Sequence, residues 1–158
     1  MGIRCGQWAV GDGFADTEHV LVYTGLMSDS VVEAEPGGAR ERGIEEYADQ
    51  RILWLPAPTD QISRETARQA LALVRTPYSF LDYDALAMHR WRIPAPGLKH
   101  FIQDTGHMIC SQLADEAARR SGWKWFDDDR WPGYVSPGAT RRMALSTGTA
   151  VWTGPGAP

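Results

Sequence analysis

Two residue types in this chain could carry nucleophilic chemistry, a thiol and an imidazole. Cys110 opens a run to Arg120 in which Leu113, Ala114, Ala117 and Ala118 recur at helical spacing. A thiol at a helix N-terminus meets amide N–H groups with no acceptor in the helix and the positive end of the dipole, and both favour the thiolate. An imidazole within reach could move the proton to a leaving group. Position alone does not separate this role from packing, because cysteine is among the most buried residue types. Among the four histidines, His19 begins the β-rich run His19-Val20-Leu21-Val22-Tyr23-Thr24 and shares a face with Leu21 and Tyr23. It is either an oriented base or a satisfied core residue. His89, between Met88 and Arg90 on a helical stretch, reads as structural or exposed. His100 and His107 flank a loop near Cys110, and with Asp104 they match no zinc spacing.

Carboxylates supply the third kind of group. Glu33 and Glu35 fall on one face of a second strand by two-residue alternation, and in a hairpin that face lies beside His19, so either could orient the imidazole. Asp127-Asp128-Asp129 lacks the spaced ligands and glycine of a calcium loop and reads as a solvated turn. Trp123, Trp125 and Trp131 suit core packing, with a groove wall for a sugar or peptide as the sharper alternative. Cys5 and Cys110 form no CxxC pair and are expected to be two free thiols. No metal and no cofactor are expected.

These side chains need elements to hold them. Residues 19–24 and 31–35, separated by a turn at Ser28-Asp29-Ser30, read as a β-hairpin, with the second strand stopped by Pro36-Gly37-Gly38. Residues 40–48 read as a short helix and Arg51–Leu55 as a third strand. Thr59 or Asp60 caps a helix carrying Ile62, Ala67, Ala70, Leu71 and Val74 and ending before Pro77. A further helical stretch covers 80–91, and the Cys110 helix closes at Ser121-Gly122. The reading is α+β, with a small antiparallel sheet of three to five strands packed against the Cys110 helix. One domain is expected over residues 1–145, with a flexible C-terminal tail over 146–158 that is small, polar and rich in Gly and Pro.

Composition narrows the partners. A net charge of −4 argues against bulk binding to nucleic acid or anionic membrane, so no nucleic-acid partner is expected. No apolar run reaches the roughly 20 residues of a transmembrane segment. No signal peptide is visible, so the chain as written is expected to be cytoplasmic, or carried in a phage virion or exported by another route. The preference for Arg over Lys and the many Gly, Ala and Pro residues suggest a GC-rich genome, such as that of an actinobacterium or one of its phages.

Three segments in order resemble the circularly permuted branch of the NlpC-type papain-like superfamily, relatives of the YiiX, YycO and LRAT-like proteins. His19 to Gly25 is similar to the strand that begins with the catalytic histidine. Val31 to Gly38 is similar to the next strand, an acidic residue followed by a Gly-rich bend. Thr76-Pro77-Tyr78-Ser79-Phe80 and Ile109-Cys110-Ser111-Gln112-Leu113 are similar to the Pro-Tyr turn and the Cys-Ser nucleophile helix. The resemblance spans about residues 3 to 140 and implies a permuted papain-like fold. It further implies Cys110 as nucleophile, His19 as general base, Glu33 as the group that holds the imidazole with Glu35 as fallback, and Tyr78 over the nucleophile at the oxyanion. Two departures stand out. Relatives begin with a further strand ahead of the Arg4-to-Trp8 region, so the sheet is expected to lack an edge strand, or the start site to be misassigned. Glu18 precedes His19, where relatives carry a small or polar residue, and a carboxylate there would raise the pKa of the base.

The resemblance implies a cysteine hydrolase that cleaves an amide bond through a thioester, with a peptide or cell-wall fragment, above all a peptidoglycan stem peptide, as substrate. Its LRAT-like side implies acyl transfer or lipid or thioester hydrolysis instead, which an apolar groove would favour. A non-catalytic binding or structural component, for example of a phage particle, is the reading from another class.

Overall fold

The computed structural model describes residues 1–4, 19–25, 29–78, 108–127 and 135–156. Six strands make one sheet: β1 (Gly2–Arg4), β2 (His19–Tyr23), β3 (Ser30–Glu35), β4 (Gly38–Gly43), β5 (Ile52–Trp54) and β6 (Val151–Thr153). Their order is β4-β3-β2-β1-β5-β6, and every neighbouring pair is antiparallel. A 3-10 turn, Ile44–Tyr47, follows β4. The described helices are α1 (Asp60–Ala72), α2 (Cys110–Arg120) and α3 (Pro137–Ser146). The class is therefore α+β. No helix among the described residues is long and apolar enough to cross a membrane.

Alternation along β2 and β3 divides the core in two. Val20, Val22, Val32 and Ala34 meet Ala70 and Leu73 from the α1 region and Leu113, Ala114, Ala117 and Ala118 of α2. Leu21 and Val31 point the other way, into a smaller cluster with Tyr47 and Ile52, against which Ile44 and Trp54 pack. Two covered faces explain why both strands read as nearly unbroken apolar runs. α2 lies across β2 and β3 and also against α1. At the head of α1, Thr59 is the cap, its side chain accepting from the Ile62 amide at 3.2 Å.

Several expectations change. Residues 40–48 are not a helix: β3 turns at Pro36-Gly37, where Gly37 has φ of +117°, and returns as β4 with Glu35 paired to Gly38. Only Ile44–Tyr47 is helical, as one 3-10 turn. Among the described residues the sheet has six strands rather than three to five. The added strands include Gly2–Arg4, which lies inside the sheet between β2 and β5. Glycine fits that place by size, since a Cβ on Gly2 would come within 2.6 Å of Leu21 Cδ1 and 2.8 Å of Trp54 Cζ3. The stretch from Ser146, expected to be a flexible tail, supplies β6, which pairs Trp152 with Leu53 and adds a sheet edge. α3 was not anticipated, although Ser136 accepts from the Ala139 amide and Pro137 occupies the first helical position. The helix expected over 80–91 lies outside the described residues.

Candidate active site

The placement of Cys110 begins with its helix. Leu113, Ala114, Ala117 and Ala118, all fully buried, fasten α2 to the sheet, and Ile109 precedes the helix in an extended conformation. The Ile109 N–H donates to Gln112 Oε1 at 3.0 Å, which ties down the entry to the first turn. The Ser111 hydroxyl donates to the Val135 carbonyl at 2.6 Å, securing the same turn from the other side. Cys110 is thus the first residue of the helix, a free thiol with only 5% of its surface exposed. The first-turn amides have no acceptor within the helix and can serve an incoming oxyanion.

His19 joins this thiol to a carboxylate. Its Nε2 lies 2.7 Å from Glu33 Oε2, and the Cys110 side chain is the other group that acts on its ring. Burial of the ring works to lower its pKa, yet the hydrogen bonds to Cys110 and then Glu33 outweigh it and push His19 up to about 9. The imidazolium is therefore the favoured form at neutral pH.

Glu33 is fully buried, and an isolated carboxylate there would carry a penalty of several kcal/mol. Four donors offset it. Oε2 accepts from His19 and from the Tyr47 hydroxyl, while Oε1 faces Nε of Arg40 and Nε of Arg42, each at 3.2 Å. Burial alone would raise its pKa, but the bonds from His19, Tyr47 and Arg40 prevail and hold it down at about 2. Glu33 faces His19 as a permanent anion.

Register alone does not choose Glu33 from the two acidic candidates. Leu21 pairs with Glu33, so His19 shares that face, and extending the register would set Glu35 level with His19. Glu35 is nonetheless taken by the Arg40 guanidinium and is partly exposed, whereas the buried Glu33 reaches the imidazole diagonally. Tyr78 is near the start of α2 through its backbone: it bridges to Met108, whose N–H donates to the Pro77 carbonyl at 3.0 Å, and its side chain packs on the cluster that contains Cys110. Cys5, Glu18, His89, His100, Asp104, His107, Asp128, Asp129 and Trp131 lie outside the described residues.

Comparison with models of known families, with curated proteins and with solved structures finds no match for this chain.

One metal-like grouping is present among the described residues. Ligand atoms of His19, Glu33 and Glu35 lie within 4.8 Å of one another. The donor chemistry fits poorly, because two guanidinium groups already sit against these carboxylates and a cation would have to displace them. Sequence reading missed Arg40, Arg42 and Tyr47. The first two had a signal: basic residues two apart on a strand lie on one face, and Arg40 is the cross-strand partner of Glu33. Reading residues 40–48 as a helix hid that alternation.

Proposed function

We propose that this chain is a cysteine hydrolase with a permuted papain-like fold, cleaving an amide bond through a thioester. The observation that carries the reading is the double engagement of His19, at once with a thiol at a helix N-terminus and with a fully buried, ionised carboxylate. In this scheme the Cys110 thiolate attacks the substrate carbonyl while the negative oxygen that forms is met by the Cys110 amide and the Tyr78 region. The His19 imidazolium gives its proton to the amine as the C–N bond breaks. The neutral imidazole then takes a proton from water, the hydroxide adds to the thioester, and the acid leaves as the sulfur is released. Glu33 keeps the ring oriented and stabilises its charged form throughout.

The substrate we favour is a peptidoglycan peptide, on the strength of the resemblance of the His, Glu and Cys segments. An acyl-chain substrate has less support among the described residues. An apolar cleft they line, about 280 Å³, has Met1, Tyr23, Trp54, Leu55, Trp123 and Val151 in its walls. It opens at the Tyr23 end of β2, roughly 13 Å along the strand from His19 at 3.3 Å per residue. The deciding assay incubates the purified chain with cell-wall muropeptides and follows new amino termini by mass spectrometry. Cleavage is expected to disappear in Cys110→Ala and to persist in EDTA. Cleavage retained by Cys110→Ala, or abolished by the chelator, refutes the thiol mechanism.

A further inference from the structure

Glu33 Oε2 is shared. It accepts from His19 Nε2 at 2.7 Å and from the Tyr47 hydroxyl, which is buried in the cluster beneath the opposite sheet face from α2. Each donor added to a carboxylate takes up part of its charge and weakens its pull on the other donors. That matters for a general acid, because an imidazolium held too firmly by its partner is slow to release its proton. Burial and then the bond to Glu33 push the Tyr47 hydroxyl well above the ordinary tyrosine range, so it stays a donor.

We propose that Tyr47 is a positioning residue that acts on His19 through Glu33: its hydroxyl absorbs part of the charge on Oε2, so that the carboxylate orients the imidazole without locking its proton in place. This rests on the cysteine-hydrolase reading above. Among the described residues, the charged and titratable groups involved come from α2, β3, β4 and the 3-10 turn. Cys110 of α2 and Glu33 of β3 face His19; Arg40 and Arg42 of β4 and Tyr47 of the 3-10 turn face Glu33; and Glu35 is held by Arg40.

The test is a titration of the full chain labelled with carbon-13 histidine, following the His19 ring resonance, assigned by its loss in His19→Gln. Tyr47→Phe is expected to move the His19 midpoint upward by about half a pH unit, because Oε2 then gives its whole charge to the imidazolium. A fluorinated tyrosine in place of Tyr47, a stronger donor that keeps the oxygen, is expected to move it downward, and serves if Tyr47→Phe does not fold. A purely structural Tyr47 would lower the melting temperature and leave the midpoint where it was. A midpoint that stays put or moves the opposite way overturns the inference and leaves the hydrolase reading standing. A wild-type midpoint close to that of a free histidine, insensitive to Cys110→Ala, refutes that reading and this inference with it.

Discussion

Glu33→Gln is the sharpest single perturbation, because it removes a charge and keeps the shape. The hydrogen bonds to Cys110 and Glu33 raise His19 from 6.5 to about 9 against the cost of burial. That net rise favours the imidazolium by on the order of 3 kcal/mol. Among the groups that raise it, Cys110 ranks ahead of Glu33. Losing the Glu33 charge is therefore expected to bring the His19 midpoint down by about one pH unit, to about 8, or one to two kcal/mol. The amide can still accept from Nε2, so the ring is expected to remain in place. The measurement is the histidine titration described above, with a urea melt beside it to establish that the variant is folded. Glu35→Gln is the control, since its carboxylate is engaged by Arg40 and not by the imidazole. A Glu33→Gln midpoint unchanged from wild type, or an equal fall in Glu35→Gln, defeats the argument that Glu33 holds the charged ring.

Two further outcomes concern stability. His19 is raised in the folded state, so its contribution is whole below 6.5 and is lost as pH climbs through about 9; Glu33 is lowered, so its contribution is present above 4.5 and fades as pH falls toward 2. Urea midpoints are expected to peak between those limits, with His19→Ala flattening the alkaline decline and Glu33→Gln the acid one. Leu113, fully buried where α2 meets the sheet, is expected to cost about 3 kcal/mol on truncation to Ala, measured by urea unfolding, and to slow Cys110 alkylation as the helix loosens.

Much of this arrangement was legible in the residues. The Val-rich runs around His19 and Glu33 and the turn between them announced the β2–β3 hairpin. The four apolar positions of α2 placed Cys110 at a helix start, and Thr59 marked the head of α1. What stayed hidden depended on contacts distant in sequence. Two-residue alternation puts Glu33 and Glu35 on the same face and cannot choose between them; only in the fold does the buried Glu33 reach the imidazole, while Glu35 stays partly exposed against Arg40. β4 itself was obscured because Arg40 to Ala48 is mostly charged and carries no apolar rhythm of period two. β1 and β6 are three residues each, too short to show a pattern, and exist through pairing with β2 and β5.

The division of the core has a consequence for how the site can change. Sulfur arrives with the helical layer on one side of the sheet; the carboxylate and its retinue of donors belong to the other. A single ring spans the partition. Repacking under α2 is expected to shift the thiol while sparing the anion, and repacking around Tyr47 to do the converse, so paired changes across the sheet should sum unless His19 is disturbed. The molecule thereby keeps two independent adjustments, one on the thiol and one on the carboxylate, meeting at one imidazole.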